Sequence, residues 1–237
     1  QDRPFFLYLA YNAVHSPLQG EDEYMEKFSH IGDIQRRIFA AMLAQLDDSV
    51  GTILETVREE DLWEDTMIVF FSDNGGPTRE LTSSNLPLRG GKGQLYEGGV
   101  RVPFFLQFPG RIEGGLVYEE AVTSLDLFPT SLSLAGIGGR GNELDGVDLM
   151  PFLSGKKEGA PHESIFWRVG TQAALRQGDW KIVRERNRGE GVKPWQLYNL
   201  REDLSETKNL ADAEPDKLDE LVESWEAYDG EMVEPAF

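Results

Sequence analysis

Cysteine is absent from the chain, which excludes a disulfide framework and any zinc site built on thiolates. Histidine is scarce as well. His15, His30 and His162 are scattered and form no HExxH pattern, so zinc-protease chemistry is excluded too. Basic residues are the minority, with 23 Lys and Arg against 42 Asp and Glu and a formal net charge of -19. Nucleic acid needs a basic footprint and is excluded as a partner, and direct capture of an anionic membrane is disfavoured. An anionic ligand must then be held by a few placed cations or by a metal. No apolar run reaches the roughly 18 residues of a membrane-spanning helix. The opening Gln1-Asp2-Arg3-Pro4 carries neither an initiator Met nor a signal peptide before the apolar FFLYLAY, so the sequence is expected to start within a larger protein. What is present is an ordinary globular balance, 40% hydrophobic and 27% charged, which argues against disorder.

Phe5 to Tyr11 is a continuous apolar run, the pattern of a strand buried on both faces. Ile34, Ile38, Met42, Leu46, Val50, Ile53 and Val57 recur at helical spacing and predict one long amphipathic helix. Gly51 inside it predicts a close packing contact. A second strand is predicted over Thr66 to Phe71, and strand, helix, strand reads as a βαβ unit with parallel strands. A glycine-rich loop, Asp73 to Val100, follows, then a strand over Val102 to Phe108 and a helix over Leu125 to Leu134 with Pro129 in its first turn. Turn residues crowd Ala135 to Lys157. Beyond them lie strand-like pieces at Ser164–Arg168, Gln172–Arg176, Trp180–Val183 and Trp195–Tyr198, and an amphipathic helix over Pro215 to Tyr228. The expected fold class is α/β for residues 1–140, followed by a small α+β unit with an antiparallel sheet in residues 141–237.

Ligands of open α/β sheets bind at the carboxyl ends of the strands. Asp73 and Asn74 follow one predicted strand and His15 follows another. The Asp-Asn pair offers oxygen ligands suited to calcium or magnesium; the alternative is a plain Asn-Gly turn. Two such ligands fall short of the about six to eight that calcium takes. Lys92, set among Gly90, Gly91 and Gly93, lies in a backbone able to approach a ligand closely, or in a solvated loop. It is no P-loop, because Gly93 stands where Ser or Thr is needed. Arg101 is placed to pair with Glu97. His15 is a candidate acid or a satisfied structural histidine, and His30 and His162 read as surface residues.

Taken together, YNAVHSPLQ, MIVFFSDNGG and NLPLRGGKGQLYEGGVRVPF resemble the C-terminal half of the type I, formylglycine-dependent sulfatases. SLDLFPTSLSLAG, LDGVDLMPFLSG, ALRQGDWKIV and LYNLREDLSETKNLA continue the resemblance in family order over almost the whole chain. The resemblance implies an alkaline-phosphatase-like core with a small C-terminal subdomain, and hydrolysis of aryl or carbohydrate sulfate monoesters with calcium bound. By position, Asp73 and Asn74 match metal ligands. Lys92 matches a lysine on the sulfate and leaving-group oxygen, and His15 a histidine that bonds the sulfate and protonates the departing alcohol. A periplasmic or secreted location is implied by the family alone.

The family's nucleophile is made from the first residue of Cys/Ser-x-Pro-x-Arg, and neither form occurs here. Asn85-Leu-Pro-Leu-Arg89 has the spacing, but asparagine has no hydroxyl or thiol to oxidise, so the match reads as coincidence. The formylglycine is therefore expected upstream of Gln1. This chain alone is expected to be inactive and prone to self-association through uncovered apolar surface. Two rivals stand beside this reading. One is a noncatalytic glycan-binding or structural protein; the other is a phosphatase or phosphodiesterase of the same superfamily, which three histidines serve poorly.

Overall fold

A computed structural model describes residues 3–78, 82–137, 144–185 and 192–233. In chain order the elements are α1 (Asp22–Lys27), α2 (Ile34–Glu59), β1 (Ile68–Phe71), α3 (Glu97–Val100), β2 (Phe104–Gln107), α4 (Leu127–Leu134), α5 (Met150–Leu153), β3 (Ser164–Val169), β4 (Gln172–Gln177), β5 (Trp180–Arg184), β6 (Gln196–Asn199) and α6 (Pro215–Glu231). Contacts divide the chain into two compact units, Gln1–Val69 with Leu106–His162, and Phe70–Phe105 with Glu163–Phe237.

In the first unit, α2 starts where Asp33 caps it by accepting from the Arg36 N–H at 2.8 Å. Its apolar stripe buries Ala41 and Met42, and α1 lies against it through Tyr24 Oη donating to Asp48 at 2.9 Å and Arg37 Nε donating to the Met25 carbonyl at 2.8 Å. Gly51 does not fill the packing role expected of it, since a Cβ there would meet nothing within 4 Å. The run Phe5 to Tyr11 is not a strand: it is extended and its side chains stand exposed, Phe6 by 81%. A strand exists only through a neighbour's ladder, and among the described residues none pairs with this run, so the expected βαβ unit is not formed.

The rest of this unit is organised by Asp126, fully buried just ahead of α4. Its carboxylate accepts from the backbone N–H groups of Thr123 (2.7 Å) and Val147 (2.9 Å) and pairs with His162 Nε2 at 2.8 Å. His162, expected at the surface, is thus mostly buried, because a buried carboxylate needs its remaining lone pairs satisfied. His30 is exposed as expected.

In the second unit, β3 to β6 form an antiparallel meander in sequence order. The alternation of side chains gives this sheet two apolar faces. Ala173, Leu175, Ile182 and Leu197 pack on Leu221 and Trp225 of α6. Ala174, Val183 and Tyr198 pack on Leu95 and Tyr96 from the glycine-rich segment. That segment is therefore seated on the C-terminal sheet. β1 pairs with β2, and the contacts Phe70 with Phe105, Phe71 with Phe104 and Ser72 N–H with the Pro103 carbonyl run in opposite senses along the two segments.

Candidate functional site

Asp73 and Asn74 leave the end of β1 and enter a loop built by backbone-to-backbone packing. The Gly75 N–H donates to the Gly99 carbonyl at 3.0 Å, and a Cβ on Gly75 would lie 1.7 Å from the Gly98 oxygen. No other residue fits there. One residue on, Gly76 is bonded on both sides by Asn85: its N–H donates to Oδ1 at 3.0 Å, and its carbonyl accepts from Nδ2 at 2.9 Å. The same Nδ2 donates to the Gly90 carbonyl at 3.0 Å. The Lys92 N–H then closes on the Gly76 carbonyl at 3.2 Å. Asp73, Asn74 and Lys92 thus stand on one hydrogen-bonded scaffold, with Asp73 and Lys92 exposed and Asn74 half-buried. The structure turns Gly90 and Gly93 into the left-handed region at φ +79° each, which is what bends the chain around Lys92.

Below this tip the segment is anchored by charge. Lys181 of β5 is fully buried and pairs with Glu97 at 2.7 Å and with Glu206 at 3.1 Å. Glu206 also accepts from the Glu97 N–H at 2.6 Å, and its own backbone sits at φ +52°, a conformation a non-glycine residue keeps only when its surroundings hold it. Burial pushes the Glu206 carboxyl above its ordinary range, against the pull of Lys181. Arg101 stands 3.8 Å from Glu97, as its spacing predicts. Arg89 donates to Tyr198 Oη at 2.9 Å and to the Glu206 carbonyl at 2.8 Å, and its guanidinium lies over the Tyr96 ring. Tyr96 Oη in turn meets Glu185 and Gln196 at 2.7 and 2.6 Å, and Gln172 Nε2 donates to the Gly93 carbonyl at 3.1 Å.

His15 belongs to the first unit. Its backbone N–H donates to the Asn12 carbonyl at 2.8 Å, and Nδ1 lies 2.7 Å from the Ser16 carbonyl. A carbonyl can only accept, so Nδ1 carries a proton. The Asp73 and Asn74 donors are hard oxygens on a hydrogen-bonded loop and fit part of a calcium or magnesium shell. Among the described residues no group of three His, Cys, Asp or Glu gathers to complete one. Asn85, Gln172, Lys181 and Glu206 carry no local signal in the sequence for the parts they take, because each acts across a loop or a sheet.

Comparison with known proteins places this scaffold. The family model described as Sulfatase matches residues 1–137, more than half of the 237, and the model described as N-sulphoglucosamine sulphohydrolase, C-terminal matches residues 91–228. The chain belongs to the sulfatase family. It is 39% identical to arylsulfatase A of Homo sapiens over 189 residues, covering 76% of this chain and 36% of the relative. It is 35% identical to arylsulfatase J of Mus musculus over 206 residues, covering 76% and 34%. The crystal structure of Ps i-CgsB in complex with k-i-k-neocarrahexaose matches with a TM-score of 0.86 and 35% identity, over 96% of this chain and 50% of that one. The sulfatase chain described here spans about a third of the length of these curated relatives and half of that of the solved structure, and its α/β fold is that of the solved sulfatases.

Proposed function

We propose that this sulfatase segment supplies the Asp73–Asn74 and Lys92 arms of a hydrolase of sulfate monoesters, with a sulfated carbohydrate as substrate. The observation that carries the proposal is the scaffold itself: one asparagine and one glycine carbonyl hold a hard-oxygen pair and a lysine tip together. The carbohydrate preference is supported by the likeness to Ps i-CgsB, solved with k-i-k-neocarrahexaose. Likeness to the arylsulfatases makes an aryl sulfate the competing substrate.

In this reading Lys92 neutralises negative charge that grows on the sulfuryl and leaving-group oxygens, an electrostatic role that is strongest in a water-poor site. His15 protonates the departing alcohol. Because its Nδ1 proton is committed to the Ser16 carbonyl, the proton delivered is that of Nε2, so the acid is the imidazolium form. Asp73 and Asn74 would hold calcium, or magnesium in its place, and the ion would add positive charge against the sulfate oxygens. These 237 residues contain no Cys or Ser-x-Pro-x-Arg, so the formylglycine nucleophile is assigned to a segment outside them, and these residues alone would not turn over substrate. The reading carries the family's periplasmic or secreted setting with it.

The test is Lys92→Ala in the whole protein. Removing one placed donor of this kind costs about 100- to 1000-fold in kcat, with the melting temperature unchanged. A rate equal to wild type would sink the catalytic role of Lys92, whereas a whole wild-type protein that binds sulfated glycan without turning it over would favour a glycan-binding protein. A second reading, hydrolysis of phosphorus esters, has one observation behind it: 26% identity and a TM-score of 0.60 to the phosphonate monoester hydrolase of Agrobacterium radiobacter over 81% of this chain. Turnover of phosphate or phosphonate esters above that of sulfate esters would favour it.

A further inference from the structure

We propose that Asn85 is a positioning residue that sets the spacing between the Asp73–Asn74 arm and the Lys92 arm, an inference that rests on the sulfatase reading above. Its side-chain amide uses both of its N–H donors and one of its two acceptor lone pairs. Oδ1 accepts from the Gly76 N–H at 3.0 Å, and Nδ2 donates to the carbonyls of Gly76 and Gly90 at 2.9 and 3.0 Å. Two carbonyls and one N–H admit a single orientation of the amide. Gly76 lies two residues after Asn74, and Gly90 two residues before Lys92, so the amide bridges the roots of both arms. The Gly76 carbonyl also receives the Lys92 N–H, filling its second lone pair.

The contact is too close for other residues to join. A Cβ on Gly91 would lie 2.4 Å from the Gly76 oxygen and 2.9 Å from Asn85 Nδ2, and a Cβ on Gly76 would lie 2.8 Å from Ser83. Aspartate in place of Asn85 has the same shape but no donor, and sets an anionic oxygen against two carbonyls. Serine is too short to span both loops. Asn85 acts through the backbone and is not itself a catalytic residue.

The experiment is a double-mutant cycle in the whole protein, with Asn85→Asp, Asn85→Ala, Lys92→Ala and Asn85→Ala/Lys92→Ala. The measurements are kcat and KM on a chromogenic aryl sulfate and on a sulfated galactan oligosaccharide. Calcium affinity is measured beside them by titration calorimetry on chelator-stripped protein. We expect kcat and calcium affinity each to fall about 10- to 100-fold in Asn85→Asp, the usual cost of losing a group that orients a site. At saturating calcium, in the Lys92→Ala background, Asn85→Ala should cost at most about 3-fold more in kcat, because coupled residues are not additive. Calcium affinity and kcat within about 2-fold of wild type, or an undiminished Asn85→Ala effect on top of Lys92→Ala, would overturn the positioning role. A Lys92→Ala variant at wild-type rate would defeat the underlying catalytic reading instead, and the calcium titration would still decide whether Asn85 sets the Asp73–Asn74 arm. Should Asn85→Asp not fold, the neutral and smaller Asn85→Ser carries the same expectation.

Discussion

Replacing Lys181 by methionine tests how the glycine-rich segment is fastened to the C-terminal sheet. Methionine keeps most of the volume and removes the charge. In the native protein Lys181 is 0% exposed, and it lies between Glu97, 2% exposed, and Glu206, 0% exposed, at 2.7 and 3.1 Å. Without it, two buried carboxylates face each other, and among the described residues the cation left paired with them is Arg101, 3.8 Å from Glu97 and half exposed. Breaking a buried ion pair from one side costs about 3–5 kcal/mol, a large share of the about 5–15 kcal/mol that a folded domain has in total. The loss should depend on pH, and its sign is fixed. Burial raises the Glu206 carboxyl above its ordinary range. A group raised in the folded state contributes stability below its unfolded pKa and loses it as pH rises through the folded value. Removing Lys181 raises that carboxyl further, so Lys181→Met should be most damaged at neutral and alkaline pH and recover part of its stability on acidification toward pH 5. Urea unfolding of wild type and variant at pH 7.5 and at pH 5 measures both effects, and Lys181→Met/Glu206→Gln should restore part of the loss at pH 7.5. A variant within about 1 kcal/mol of wild type at pH 7.5, or a loss that does not change with pH, would refute the reasoning.

Two further outcomes follow from the first unit. Gly51→Ala should stabilise the protein by about 0.5–1 kcal/mol, because the added methyl meets open space in mid-helix and alanine is the better helix former; a lowered urea midpoint would show that Gly51 is needed for a close contact after all. The isolated 237-residue chain should self-associate through the exposed ribbon of Phe5, Phe6, Leu7 and Tyr8, seen as a sedimentation coefficient that rises with concentration. A monomer at all concentrations, or association unchanged by Phe6→Ser/Tyr8→Ser, would count against it.

Elements whose signal is local could be read in the sequence. The helical spacing from Ile34 to Val57 gave a helix of Ile34–Glu59, and the four strand-like pieces after residue 160 became a meander with its β4–β5 turn at Gly178, φ +58°. Glu97 and Arg101 were legible as an opposite-charge pair, but the helical turn Glu97–Val100 that makes them neighbours was not, since the sequence reads there as loop and strand start. The run Phe5 to Tyr11 misled for the same reason: apolar continuity states what a strand would bury and says nothing about whether a partner is beside it.

What stayed hidden is what distant residues decide. Lys181 sits in Trp-Lys-Ile-Val, where alternation predicts one face in the core and the lysine in solvent. The face that carries Lys181 is instead covered by Leu95, Tyr96 and Glu97, so the sheet is buried twice and the lysine must find a carboxylate there. That second burial is also why a loop as rich in glycine as Asp73 to Val100 can hold a site at all. Glycine lets the loop fold back on its own backbone at Gly75, Gly76 and Gly91 but lends it no stiffness. The stiffness comes from Asn85 within the loop and from Arg89, Tyr96 and Glu97 clamped to the sheet. In the sequence Asn85 stands out only by its spacing to Arg89, a false match to a nucleophile motif. In the structure the two residues flank one turn, one tying the loop to itself and the other tying it to the sheet. On this view the C-terminal sheet is the foundation of the Lys92 tip, and a substitution on its loop-facing side should reach the site before it reaches the rest of the fold.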